Sequence, residues 1–348
     1  MDQNETNNMS VLPINGKVDS LNGMLEFIDV EQPINDVPQD QHPNFIESNT
    51  QAITLEELES KCIVPTFSDN PLTISHQNFI KVVCKAAETV FGELTPVECR
   101  VSHPIIGRVP SALTKTTSEL TEDDKTLFYQ RIAWVSHIQN LARVINNQVV
   151  HLCIGGVRAY NEDKLYNRKS PEKYRIFVGW QVRVCSNLML TCKGNSGTIE
   201  CMTEADIFQK SLELFSRFQP HADETLTLLE NLNNTRITET QFCNIIGRMR
   251  LMQALPTTTQ NELQLPSIDI GDQAVNAATR NYVSNPNFGL QPGEDTITCF
   301  QLMQIFNEAV KASYIDKWLD RNQACTDLAI GISEAISGNE NGYNWFLN

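Results

Sequence analysis

Residues 174–184 alternate. Tyr174, Ile176, Val178, Trp180, Val182 and Val184 fall on one parity, and Arg175, Phe177, Gly179, Gln181 and Arg183 on the other. A period of two with one wholly apolar face is the pattern of a β-strand lying on a core. The other face, two arginines around an aromatic and a glycine, is unusual for a plain solvated surface. Any fold of this chain must place that strand with one side in a core and must find a use for the other.

The surrounding sequence predicts an antiparallel sheet. Strand-like segments 141–145 and 148–154 flank Asn146-Asn147, and asparagine tolerates the positive φ that a two-residue hairpin turn demands. Gly155-Gly156 then allows a bulge or a close approach by another backbone. Residues 76–92 carry Phe79, Val82, Val83, Ala86 and Val90 at helical spacing, stopped by Gly92. Strand-like material follows over 98–109, a helix is expected to open at Thr121, and a short strand at 188–192.

From Thr203 onward the periodicity becomes helical. Thr203-Glu204-Ala205-Asp206 resembles a capping box, and helices are expected near 223–233, 238–255, 272–284, 298–311, 313–320 and 325–336. The composite is α+β: a central antiparallel sheet domain over 71–200 and a helical domain over 201–348. Residues 1–70 are rich in Asn, Gln, Asp, Glu and Pro and read as a mostly disordered acidic leader. Within it, Thr54-Leu55-Glu56-Glu57 offers a capping box for one short helix. No internal repeat is apparent.

Charge is unevenly spread. The net value of −15 hides a leader at −11, a sheet region at +5 and a helical region at −9. Between Lys125 and Lys193, 11 basic residues face three acidic ones, a local balance of +8. The overall charge argues against a polyanion partner and the local balance argues for one. Ten scattered cysteines contain no C-x-x-C and no zinc-type Cys/His spacing. The apolar runs are too short to span a bilayer, and the first residues lack the features of a secretory signal. The expectation is a reduced, cytoplasmic protein with no membrane association and no cofactor.

Several strings resemble a known family. They are Ile154-Gly155-Gly156-Val157-Arg158-Ala159-Tyr160-Asn161, Leu165-Tyr166, residues 169–173, residues 184–188, His103 to Pro110, Ser313 to Asp316, Leu319 to Asn322, and Asn344 to Leu347. Together they resemble the uncharacterised bacterial domain of unknown function 3871 family, over about residues 75–348. Residues 183–187 are also weakly similar to a larger family of phage- and plasmid-like proteins. The resemblance implies a bacterial mobile-element or phage setting and supplies no activity, cofactor or site residue.

Catalytic patterns are sparse. Ser170-Pro171-Glu172-Lys173 matches S-x-x-K, a pattern that arises often by chance. Cys185 and His151 would form a thiol–imidazole pair if their strands were neighbours. Asp123, Asp124, Glu162 and Asp163 are candidate metal ligands, though such carboxylates are commonly caps or surface charge. The stronger cluster is basic and aromatic: Arg158, Tyr160, Lys164, Tyr166, Arg168, Lys169, Lys173, Arg175, Phe177 and Arg183. Cations bind phosphates, and flat aromatic and guanidinium faces stack unpaired bases.

The second face of strand 174–184 has two readings. Left open, it is a platform for single-stranded nucleic acid. Packed beneath the C-terminal helices, it is a second core layer, with its arginines paired to acidic helix residues. The leading expectation is a non-enzymatic nucleic-acid-associated protein, possibly binding single-stranded DNA or RNA. The alternative is a protein–protein adaptor or structural protein with no nucleic-acid role, in which charge reversal of Arg175 and Arg183 unfolds or disassembles the protein. A hydrolase using Cys185 or a bound metal is a third class. The oligomeric state is not legible in the sequence.

Overall fold

The computed structural model describes residues 43–62, 74–108, 110–112, 114–145, 147–161, 163, 170–190 and 196–348. The expected strand is β7 (Glu172–Val182), at the heart of a seven-stranded antiparallel sheet. The order is β1 (Thr50–Ile53), β2 (Glu98–Ser102), β5 (Ile132–Ile145), β6 (Gln148–Arg158), β7, β8 (Leu188–Met189), with β9 (Ser196–Cys201) also pairing with β7. A separate ribbon joins β3 (Ile105–Arg108) to β4 (Lys125–Tyr129). Where a helix was expected from Thr121, a single 3-10 turn at Glu122–Asp124 runs into β4.

The hairpin forms as read, with register Ile145↔Gln148 and Asn147 at φ 58°. Gly155 and Gly156 are needed for close approach, and the register past them is unbroken. A Cβ on Gly155 would lie 2.3 Å from the Trp134 carbonyl and 2.4 Å from the Phe177 ring. The break in the β5–β6 register falls instead between His137 and Ala142, where Asn140 takes φ 61°.

Tyr174, Ile176, Val178, Trp180 and Val182 are all buried in the main core, as their parity requires. Val184 is not: the strand ends at Val182, and Val184 sits in the following turn, 47% exposed. Against this face packs α2 (His76–Phe91), through Phe79, Val83 and Ala86. The helical layer follows: α3 (Glu204–Phe218), α4 (Ala222–Asn234), α5 (Glu239–Ala254), α6 (Thr257–Glu262), α7 (Asp272–Ser284), α8 (Cys299–Val310) and α9 (Ile315–Ile336). Sheet and helices share one apolar cluster that runs from Leu58 to Phe346.

Residues 43–62, which composition places in the leader, join this fold. Phe45 and Ile46 are buried, β1 edges the sheet, and α1 (Leu55–Lys61) opens with the Thr54/Glu57 capping box. Residues 1–42 lie outside the described residues.

A short pair of strands, β10 (Arg236–Thr238) and β11 (Thr296–Thr298), aligns Ile237 with Ile297. Each leads directly into a helix through a Thr–Gln capping box, Thr238/Gln241 for α5 and Thr298/Gln301 for α8. The same string, Ile-Thr-x-x-Gln, therefore does the same work twice.

Candidate binding surfaces

The basic face of β7 is covered. Phe177 is fully buried, its ring 5.9 Å from that of Trp318 at 73°, in a second apolar layer with Phe45, Ile46, Val135, Leu190 and Leu319. Arg175 donates two hydrogen bonds to the Asp320 carboxylate, one at 2.9 Å. One helical turn earlier, Asp316 accepts from Arg131, the residue before β5, at 2.6 Å. The first turns of α9 thus strap the sheet with Trp318 between two ion pairs. Of the two readings of this face, the structure has the packed one, so Phe177 has no exposed ring for a base to stack on.

Arg158 and Tyr160 are buried on the other side of the sheet. The Arg158 guanidinium lies 4.5 Å and 4.4 Å from the ring centroids of Tyr160 and Tyr174. It donates to the Ile74 carbonyl and, at 2.6 Å, to Glu172, which also accepts from the Tyr174 hydroxyl. A buried arginine needs such paired and stacked surroundings. Here the guanidinium anchors the chain entering α2, and His76 beside it is held down to about 3 by burial and then by the Arg158 charge. Neither Arg158 nor Tyr160 is open to a ligand.

Lys173 and Arg183 are half-buried. Lys173 Nζ lies 3.6 Å from Glu200 across the β7–β9 pair. Arg183 follows β7, where its backbone N–H donates to Val149 at 2.9 Å. Lys164, Tyr166, Arg168 and Lys169 lie outside the described residues. The structure therefore does not bring the ten candidates together on one surface: Arg158 and Tyr160 face one core, Phe177 the other, and Arg175 is committed to α9.

The thiol–imidazole pair does not form. Cys185 lies in the β7–β8 turn within the main core, its carbonyl accepting from Lys311 and its thiol pushed up to about 12 by burial. His151 pairs across the sheet with Gln181 and packs against His137 at 5.8 Å between ring centroids. Neither of its ring nitrogens has a hydrogen-bond partner, and burial, with the His137 and Arg183 charges, lowers it to about 4. Of the four candidate carboxylates, Asp124 and Asp163 are engaged elsewhere, Asp123 is exposed, and Glu162 lies outside the described residues. Asp124 receives Lys115 Nζ at 2.8 and 2.9 Å, with the Thr121 backbone N–H and hydroxyl, and is lowered to about 2. Asp163 accepts from the Lys173 backbone at 2.7 Å. Among the described residues no three metal-ligating side chains converge.

One surface escaped sequence reasoning. A crevice of about 870 Å³ opens where β1 passes into α1, bounded by α2 and by residues 94–100 at the start of β2. It mixes half-buried apolar side chains with Glu56, Glu57, Glu88 and Glu98. Its residues come from four separate stretches of sequence, so no local pattern announces it.

A family model described as "Domain of unknown function, B. Theta Gene description" matches residues 29–347. The chain belongs to the domain of unknown function 3871 family. No curated protein and no solved structure gave a match. In this member of domain of unknown function 3871, the family-like strings fall on structural joints. Residues 154–161 end β6 in the Arg158–Tyr160 cluster, residues 313–322 open the strap helix, and Leu347 caps the end by accepting from Asn244 of α5.

Proposed function

We propose that this chain is a non-enzymatic binding protein whose partner is another protein. The observation that carries the reading is the closure of the basic sheet face: Arg175, Phe177, Arg158 and Tyr160 are spent on internal contacts. The crevice bounded by α1, α2 and residues 94–100 instead offers apolar surface and carboxylates, which repel phosphates. Buried thiols such as Cys185, at about 12, and Cys153, pushed higher still, support binding over nucleophilic chemistry.

A second reading, association with single-stranded nucleic acid, rests on the +8 balance between Lys125 and Lys193 and on the partial exposure of Lys173 and Arg183. A cytoplasmic setting, in a bacterial mobile element or phage, belongs to either proposal. It is supported by the resemblance and is consistent with the described helices, none of which is long and apolar enough to cross a membrane.

The two readings are tested on the full chain. Fluorescence anisotropy follows short single-stranded DNA at low and moderate salt, and the same protein is panned against a displayed random-peptide library. The protein-partner reading expects an enriched peptide consensus and no salt-sensitive DNA binding. Salt-sensitive DNA binding that is lost in Arg183→Glu, with no peptide enriched, overturns it.

A further inference from the structure

The crevice beside α1 has a definite chemistry. Ile53, Leu55, Cys84, Leu94 and Val97 are half-buried there and line it with apolar surface. Glu56 and Glu88 stand exposed at its margin, with no ion pair among the described residues. Glu57 reaches Lys61 and the Thr54 cap, and Glu98 adds a fourth carboxylate. Arg100 is the one basic residue among those lining the crevice. Its guanidinium is turned to neutral acceptors, Asn44 Oδ1 at 3.0 Å, Thr50 Oγ1 at 3.2 Å and the Thr50 carbonyl at 3.3 Å. Half-open apolar surface bordered by the exposed carboxylates of Glu56 and Glu88 has a field and a shape that suit a cationic polypeptide with apolar side chains.

We infer that this crevice docks a basic, apolar-studded segment of a partner protein. The inference rests on the protein-partner reading above and names the place and the partner chemistry. Charge selects against the chain's own leader as occupant, although Pro43 lines the crevice. Residues 1–42 hold eight acidic side chains and one lysine, so they repel its carboxylates. The mode follows from β1, which edges the sheet and, among the described residues, pairs only with β2. An extended segment entering beside Ala52 and Ile53 adds to that edge while its side chains enter the crevice.

The test uses the full chain and a fluorescein-labelled peptide of alternating Lys and Leu, with a Glu/Leu peptide as counterpart. Binding is compared among the wild type, Glu56→Lys/Glu88→Lys, Glu88→Lys alone, and Glu230→Lys/Glu262→Lys. The last pair, exposed on the helical layer, makes the same change in net charge. Circular dichroism checks that each variant folds. The inference expects the Lys/Leu peptide to bind and the Glu/Leu peptide not to. Affinity should fall about tenfold in the crevice double variant, by less in Glu88→Lys, and little in the helical-layer variant. Equal weakening by both double variants overturns the docking site while leaving a protein partner in place. A library that yields no binder at all removes the parent reading instead.

Discussion

Phe177 and Arg175 meet the same helix by different physics. The Phe177 ring is buried against Trp318 with no solvent contact, so its truncation leaves a cavity that the sheet cannot collapse to fill. Phe177→Ala is expected to cost about 3–5 kcal/mol, read from urea unfolding. Arg175 and Asp320 are 22% and 44% exposed, so water screens their attraction. A double-mutant cycle with Arg175→Gln and Asp320→Asn should return a coupling of about 1 kcal/mol or less. Histidine protonation acts in the opposite sense to a salt bridge. His76 and His151 are lowered to about 3 and 4 in the folded chain, and the unfolded chain takes up their protons near pH 6.5. Their contribution is complete above that value and is lost as pH falls from about 6.5 toward 4. His151→Gln should flatten part of this loss in pH-dependent thermal denaturation.

The start of α9 acts as a strap. Asp316, Trp318 and Asp320 reach Arg131, just before β5, and Phe177 and Arg175 of β7, and the i, i+4 spacing of the two acids is a sequence signal for that role. The sequence splits this helix in two, because polar residues interrupt its apolar pattern around residue 322. In the fold Asn322 and Thr326 are buried and satisfied within the helix, Asn322 donating to Trp318 and Thr326 to Asn322. The twin capping boxes of α5 and α8 are legible locally, and their strands are not, since three residues carry no clear period. Thr238→Ala and Thr298→Ala should each cost about 1 kcal/mol in chemical denaturation. Helix starts, the hairpin and the core parity of β7 could be read because each depends on neighbours in sequence. Which acids close the basic face depends on residues more than 140 positions away, as Arg175 and Asp320 show.

At the scale of the molecule, one apolar cluster joins the sheet to the helical layer. A boundary drawn where strand pattern gives way to helix pattern marks a change of secondary structure within that shared core. Thermal unfolding followed by near- and far-ultraviolet circular dichroism should therefore show coincident transitions. The shared core also explains why composition misleads about charge. The +8 stretch is set against a −9 region, and part of that excess is neutralised inside the fold, by Asp316 and Asp320, and does not reach a ligand.

The closure of the β7 face by α9 is tested most directly by native-state amide hydrogen exchange. Slow exchange through residues 172–182 and 315–322 together, released only by global unfolding, is the predicted result. Rapid exchange of 315–322 while β7 stays protected would mean that the strap opens on its own and bares Arg175 and Phe177, contrary to this account.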